Sequence, residues 1–184
     1  MSHFTLHNQE TAPEAAQPLF AKSLNDFGKI PNLHGIMAES PELLAAYQSL
    51  HGLFLATSFT AEEKTVVWQA INVEHACLYC VPAHTAIANM MGVDQEISDA
   101  LRSKKPLPEK LEALRKFTLL MVRKRGEASR ADIDAFLAAG YTRRNVLEVI
   151  LGISQKVMSN YVNHIAETPL DKPFQTFEWS PDDA

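Results

Sequence analysis

Apolar residues along the chain recur at three- and four-residue spacing, and the segments that carry this rhythm are punctuated by helix caps. Ser40-Pro41-Glu42 is a start signal, a serine cap with proline at the first helical position. The helix it opens carries Leu43, Leu44, Tyr47, Leu50, Leu53 and Phe54 as one stripe. Thr60 and Glu63 stand at capping-box spacing and open a helix with Val66, Val67, Ala70, Ile71 and Val73. A further helix passes through Ile87 to Met91 and stops at Gly92, and a short one covers 94–103. A long amphipathic helix over 109–125 presents Leu111, Leu114, Phe117, Leu120 and Met121 to a core. Ser129 to Asp132 caps another, ending at Gly140, and the last helix covers 143–167. Before all of these, a polar lead-in over 1–12 precedes a first helix over 13–28, and 30–35 reads as a loop or short turn beside apolar Ile36 and Met37. Strict apolar–polar alternation is absent, so the expected fold class is all-α.

The length, 184 residues, fits one domain, 1–184, with possible helical halves at 13–103 and 108–167 and a C-terminal tail over 168–184. Lys104-Lys105-Pro106-Leu107-Pro108 is the clearest linker between such halves. A chain of this size buries about 70% of its unfolded surface, enough for a core without staples. The tail carries Phe174, Phe177 and Trp179 among prolines and acids, a composition suited to strapping onto a neighbouring surface. A net charge of -5 argues against nucleic acid and anionic membrane as partners. No apolar run approaches the ~18 residues of a membrane span, and the first residues have no signal-peptide core. The expected location is the cytoplasm, where two cysteines point to catalysis, redox chemistry or metal binding rather than a permanent staple.

Both cysteines lie in one stretch, EHACLYCVPAH, from Glu74 to His84. It also holds His75 and Tyr79. Three readings compete: a catalytic dithiol, a zinc site, and plain packing. If the segment is helical from about Cys77, Cys77 and Cys80 stand at i, i+3 and Cys80 and His84 at i, i+4 on the same face. Pro82 is tolerated only in a first turn, which sets the helix start near Tyr79 and both sulfurs at its N-terminus, where a thiolate is favoured. Such a thiolate can attack a peroxide, and the sulfenic acid formed is captured by the second thiol. Glu74 and His75, one turn upstream, are positioned to relay protons. His75, Cys77, Cys80 and His84 are four possible zinc ligands, but they fall within ten residues, and one helix face does not surround a metal tetrahedrally. Small buried cysteines that only pack are the third possibility.

On the last helix, Ile150, Ile153 and Val157 form an apolar seam that Asn160 and His164 continue. These two polar groups are either satisfied buried side chains or part of a pocket near Cys80, and Tyr161 shares the neighbourhood. His3, His7, His34 and His51 have no reactive neighbours in sequence and read as surface or loop residues; Trp68 reads as core. The run Arg123-Lys124-Arg125 reads as a solvated helix end.

The string Cys77-Leu-Tyr-Cys80-Val-Pro-Ala-His84, with Glu74 before it, resembles the AhpD-like alkylhydroperoxidases of the carboxymuconolactone decarboxylase superfamily, and most closely their peroxidase-related branch. The likeness extends over about 54–171. It implies an AhpD-like multi-helix bundle that forms homo-oligomers, often trimers or hexamers. It also implies a peroxidase acting on organic hydroperoxides or hydrogen peroxide without metal or other cofactor. By the same resemblance Cys80 attacks, Cys77 resolves, and His84 assists deprotonation of Cys80. An external dithiol, which in the family can be a lipoylated protein, reduces the disulfide. Members nearer the founding enzyme carry a relay glutamate twelve positions before the first cysteine; that position is Thr65 here, with Glu74 the obvious substitute and Glu63 a weaker one. The alternatives are a redox-sensing or binding member of the same fold that does not turn over, and a decarboxylase-like enzyme; the decarboxylase branch lacks the cysteine pair.

Overall fold

The computed structural model describes residues 3–183. Among them the helices are α1 (Gln17–Phe27), α2 (Asn32–Met37), α3 (Pro41–Leu55), α4 (Ala61–Glu74), α5 (Cys80–Met90), α6 (Gln95–Arg102), α7 (Glu109–Arg123), α8 (Arg130–Ala138) and α9 (Arg143–Ala166). Short 3-10 helices add Glu14–Ala16, Lys172–Phe177 and Pro181–Asp183, and there is no strand among the described residues. The all-α expectation holds, and the caps explain the boundaries. The hydroxyls of Ser40, Thr60, Ser129 and Thr142 each accept from a backbone N–H three residues on. At the last three of these caps the side chain of the third helical residue returns a bond to the cap's N–H.

One expectation fails locally. Residues 32–37 form α2 rather than a loop, and Leu33, His34, Gly35, Ile36 and Met37 are all buried. Pro31 supplies an extended residue before the first turn, and the apolar content of the segment is satisfied only by packing, which overrides its weak helix propensity.

The bundle is organised around α4, which is buried on every side from Thr65 to Val73. It packs against α7, α9, α5 and α6. A helix surrounded in this way cannot show a one-sided apolar stripe, and Gln69 and Asn72 are buried beside Val66, Val67 and Trp68. The main core runs from Phe54 and Val67 through Leu114 and Phe117 to Phe136 and Val149, so both sides of the 104–108 segment share it. Phe117 stacks on Phe136 at 4.2 Å and Phe136 on Tyr141 at 4.5 Å. Full burial of each such side chain contributes about 1.5–3 kcal/mol. Gly152 lets α9 approach this core closely, because a Cβ there would stand 2.7 Å from the Phe54 ring and 2.8 Å from Val67.

A second cluster joins Phe20, Leu33, Met37, Leu44 and Tyr47 to Cys77, Tyr79 and Cys80. The tail closes over it: Phe174 meets Tyr79 edge-on at 6.3 Å, and Trp179 is buried against Val73 and Val81. Among the described residues no helix is long and apolar enough to cross a membrane.

Candidate active site

α4 ends at Glu74, and the chain turns through Ala76, whose φ of 50° is left-handed, before α5 begins at Cys80. Cys77 therefore lies in the turn rather than in the helix, with its N–H donating to the Asn72 carbonyl. Pro82 falls in the first turn of α5, where its missing N–H is harmless. The polar side chains of α4 fix this turn. Asn72 donates to Gln69 and to the Cys80 carbonyl, and Gln69 donates to the Val81 carbonyl and the Thr85 hydroxyl.

Both cysteines are free and buried. The Cys80 N–H points at the Cys77 sulfur, 3.3 Å away. The Cys80 sulfur accepts from the Asn163 amide at 3.2 Å and lies 3.8 Å from the Ser159 hydroxyl oxygen, whose own proton goes to the Lys156 carbonyl; both side chains come from α9. Burial alone would push the Cys80 thiol up. The hydrogen bond with Cys77, the charge of Lys156 and the hydrogen bonds with Ser159 and Asn163 outweigh it and bring the thiol down to about 5. Its partner moves the other way, since the hydrogen bond to Cys80 and burial hold the Cys77 thiol far above the ordinary range. The two thiols thus shift in opposite directions, with Cys80 the one favoured as thiolate.

Lys156, absent from the residues singled out by sequence, is the main charge in this region. It is completely buried, and its Nζ lies 2.8 Å from His84 Nε2. Among the described residues no carboxylate pairs with it. An ammonium only donates, so Nε2 of His84 accepts and its proton sits on Nδ1. Burial and the Lys156 charge hold the imidazole neutral, its pKa well below the usual histidine value. Nδ1 is buried and has no partner. The expected contact between His84 and the Cys80 sulfur is not made, because His84 turns to Lys156 instead.

Around this pair the imidazole and aromatic rings form a column. Trp68 lies 4.8 Å from His84 and stacks on His51 at 5.9 Å, and His34 meets Tyr47 edge-on. Gln155 links the column to α9, accepting from the Trp68 indole at 2.8 Å and donating to His51 at 3.0 Å. The surface reading of His34 and His51 is corrected here. His34 is buried with Nδ1 on the Ser23 hydroxyl at 2.8 Å, and both rings are pushed to about 4, mainly by burial. Sequence neighbours do not show such contacts, because they come from α1, α3 and α9.

The remaining candidates separate. Asn160 is fully buried, donates to Asn72 and accepts from His75 Nδ1 at 2.9 Å, which ties the turn before Cys77 to α9. The Tyr79 hydroxyl is held by the Asp171 carboxylate of the tail and accepts from the Leu33 N–H. His164 is solvent-exposed, so the pocket position expected for it is not where α9 places it; Asn163, one residue earlier, occupies the facing position. Glu74 faces α7, where both carboxylate oxygens take Arg123 at 2.7 Å, which places it outside the sulfur cluster. Arg123, read as a solvated helix end, thus has a partner. Glu63 is spent on the Thr60 cap and Lys110, and the Thr65 hydroxyl bonds back to Ala61. The four possible zinc ligands do not converge, since His75 and His84 turn to Asn160 and Lys156.

The row missed by sequence reading is Gly152, Lys156, Ser159 and Asn163, one face of α9 at four-, three- and four-residue spacing. All four are buried, whereas Ile150 is exposed and Ile153 and Val157 only half-buried.

No known protein family and no curated protein matches the chain by sequence. Solved structures do match it in fold. An alkylhydroperoxidase AhpD core, an uncharacterized peroxidase-related protein from Ralstonia eutropha JMP134, superposes with a TM-score of 0.82 at 21% identity, covering 94% of each chain. An uncharacterized peroxidase-related protein from Silicibacter sp. TM1040 gives 0.78 at 18% identity, covering 94% of this chain and 92% of that one. The debrominase Bmp8 gives 0.78 at 18% identity over 96% of each chain, and a cysteine-to-alanine variant of it is known in complex with 2,3,4-tribromopyrrole. The chain has the AhpD-like fold.

Proposed function

We propose that this protein is a thiol peroxidase that reduces organic hydroperoxides or hydrogen peroxide through a dithiol–disulfide cycle. The observation that carries the reading is the geometry of the pair: the Cys80 sulfur takes the Asn163 amide from α9 at 3.2 Å, and the Cys80 N–H stands 3.3 Å from the Cys77 sulfur in the turn beside it, which favours a thiolate at Cys80. The Cys80 thiolate attacks the terminal peroxide oxygen and becomes a sulfenic acid while the other oxygen leaves and takes a proton. Cys77 then attacks the sulfenic sulfur, water departs, and a disulfide remains. An external dithiol, a lipoylated protein being one candidate, restores both thiols. No metal or organic cofactor takes part in this cycle. His84, one helical turn beyond Cys80 on α5, is the proton donor of this reading, and Tyr79, His75 and Asn160 position the turn that leads from Cys77 into α5. Leu147, Ile150, Tyr161 and Ile165 leave an exposed apolar row on α9, which supports self-association; assembly into a trimer or hexamer and a place in the cytoplasm belong to the same proposal.

The test is a free-thiol count on reduced protein before and after an equimolar amount of cumene hydroperoxide, with Cys80→Ser alongside. Loss of both thiols in the wild type, with the variant's remaining Cys77 far slower to react, is the expected result. Two persisting thiols overturn the reading. Repeating the assay with excess dithiol separates a peroxidase, which turns over, from a redox sensor, which oxidises once. Bromide release from 2,3,4-tribromopyrrole under the same conditions would instead place the dithiol in dehalogenation.

A further inference from the structure

A fully buried lysine without a carboxylate is costly, because an ammonium loses several kcal/mol of hydration on burial. Lys156 is such a residue. Its Nζ donates to Nε2 of His84 at 2.8 Å, and its charge favours the thiolate of Cys80, one turn before His84 on α5. The other titratable groups that feel its charge are Tyr47 and His51 from α3 and Cys77 from the turn before α5, all neutral near pH 7. The α4 face offers Trp68, Gln69 and Asn72, none of which titrates. Asp26 acts on His51 and His34 from the edge of the cluster, and Asp171 acts on Tyr79 and His34. His84, in turn, keeps an unpartnered N–H on a buried Nδ1. It stands one turn beyond Cys80 on the same face of α5.

We propose that Lys156 is the proton reservoir of the site, holding Cys80 as its thiolate and passing a proton through His84 to the oxygen that leaves the peroxide. The second half rests on the peroxidase reading above. The bonds balance without a further reactant. The sulfur–oxygen bond forms as the oxygen–oxygen bond breaks, sulfur loses two electrons, and the departing oxygen gains them. That oxygen takes the proton from His84 Nδ1, and Lys156 replaces it at Nε2. Lys156 is left as a neutral amine; when Nδ1 takes up a proton from solvent again, Nε2 returns its own to Lys156, and the starting tautomer is restored. Lys156 touches neither sulfur nor peroxide and is a positioning residue.

The experiment compares wild type with Lys156→Met by three measurements: thermal unfolding, the far-ultraviolet thiolate absorbance against pH, and the single-turnover rate with hydrogen peroxide. Methionine is close in length and apolar, but it removes the opposite charge near Cys80 and the donor to His84 Nε2, so the variant is expected to fold and to melt below the wild-type temperature. Its thiolate transition should move up by about 1–3 pH units, the effect of losing one nearby opposite charge. Its turnover should fall roughly 100-fold or more and stay low at alkaline pH, where Cys80 is ionised again but no proton is supplied. An unmoved transition overturns the first role, and a rate that recovers fully at high pH overturns the second. If Lys156→Met fails to fold, Lys156→Arg carries the test. It retains the charge but holds its protons at any working pH, so a normal thiolate transition with a depressed rate is expected, and a wild-type rate overturns proton delivery. Should the wild type itself consume no peroxide, the peroxidase reading falls, and the thiolate transition still decides the first role.

Discussion

The Tyr79 hydroxyl, between the two cysteines in sequence, donates to the Asp171 carboxylate on the tail, 92 residues away. Asp171 also takes Lys29 at 3.1 Å and the Asn32 N–H at 3.1 Å, so one buried carboxylate joins the tail, α2 and the reactive turn. Tyr79 stays a phenol, since burial and the neighbouring Asp171 charge raise its pKa well above the usual value.

Asp171→Ala removes this acceptor and leaves the Tyr79 hydroxyl and the Lys29 ammonium without it. Lys29 is a third exposed and recovers water, so the loss is dominated by the buried hydroxyl and the N–H at the start of α2. Hydrogen bonds to a charged group contribute about 1.5–3 kcal/mol each at most, and a total destabilisation of roughly 2–4 kcal/mol is expected in urea unfolding. Limited proteolysis should then cut within 168–179 first. A variant as stable and as resistant as the wild type would show that Asp171 does not hold the tail.

The split of the dithiol gives stability a definite pH dependence. The Cys80 thiol is lowered to about 5 in the folded protein, against about 8.5 in an unfolded chain. Between these values the folded state has lost a proton that the unfolded state still binds, so stability from Cys80 rises as pH rises and is complete above about 8.5. It is lost again as pH falls through about 5. Cys77 is raised, so above about 8.5 the unfolded chain alone ionises there and stability declines. The stability difference between wild type and Cys80→Ser should therefore widen from about pH 5 to about pH 8.5. A difference that is flat over that interval would mean that Cys80 is not ionised in the fold.

Much of the bundle was legible because caps and apolar spacing are local. Ser40, Thr60 and Ser129 fix three helix starts from within four residues each. The dithiol was equally legible, since Cys77, Cys80 and the turn at Pro82 are contiguous. The site's charge was not. On α9 the expected core seam of Ile150, Ile153 and Val157 lies toward the outside, and the inward row is Lys156, Ser159 and Asn163. An inside-apolar rule inverts on this helix because its buried face meets polar partners, the His84 imidazole and the Cys80 sulfur, that need hydrogen bonds. The one available signal was the row itself: a glycine, a lysine, a serine and an asparagine at helical spacing. His34 and His51 were misplaced for a related reason, since their partners Ser23 and Gln155 come from distant helices.

Glu74 is where sequence proximity and geometry part most clearly. It is three residues from Cys77, yet its carboxylate forms a two-pronged pair with Arg123 on α7, and that pairing lowers its pKa. Arg123 is largely exposed, so the pair is of the surface kind, and Glu74→Gln should cost less than about 1 kcal/mol in denaturant unfolding. A carboxylate that relays protons to Cys80 would shift the sulfur's ionisation when neutralised; one fixed on Arg123 would not. The thiolate absorbance of Glu74→Gln is accordingly expected to follow the wild-type pH curve, whereas that of Lys156→Met moves. A shifted curve in Glu74→Gln would return Glu74 to the proton path and make Lys156 at most one of two sources.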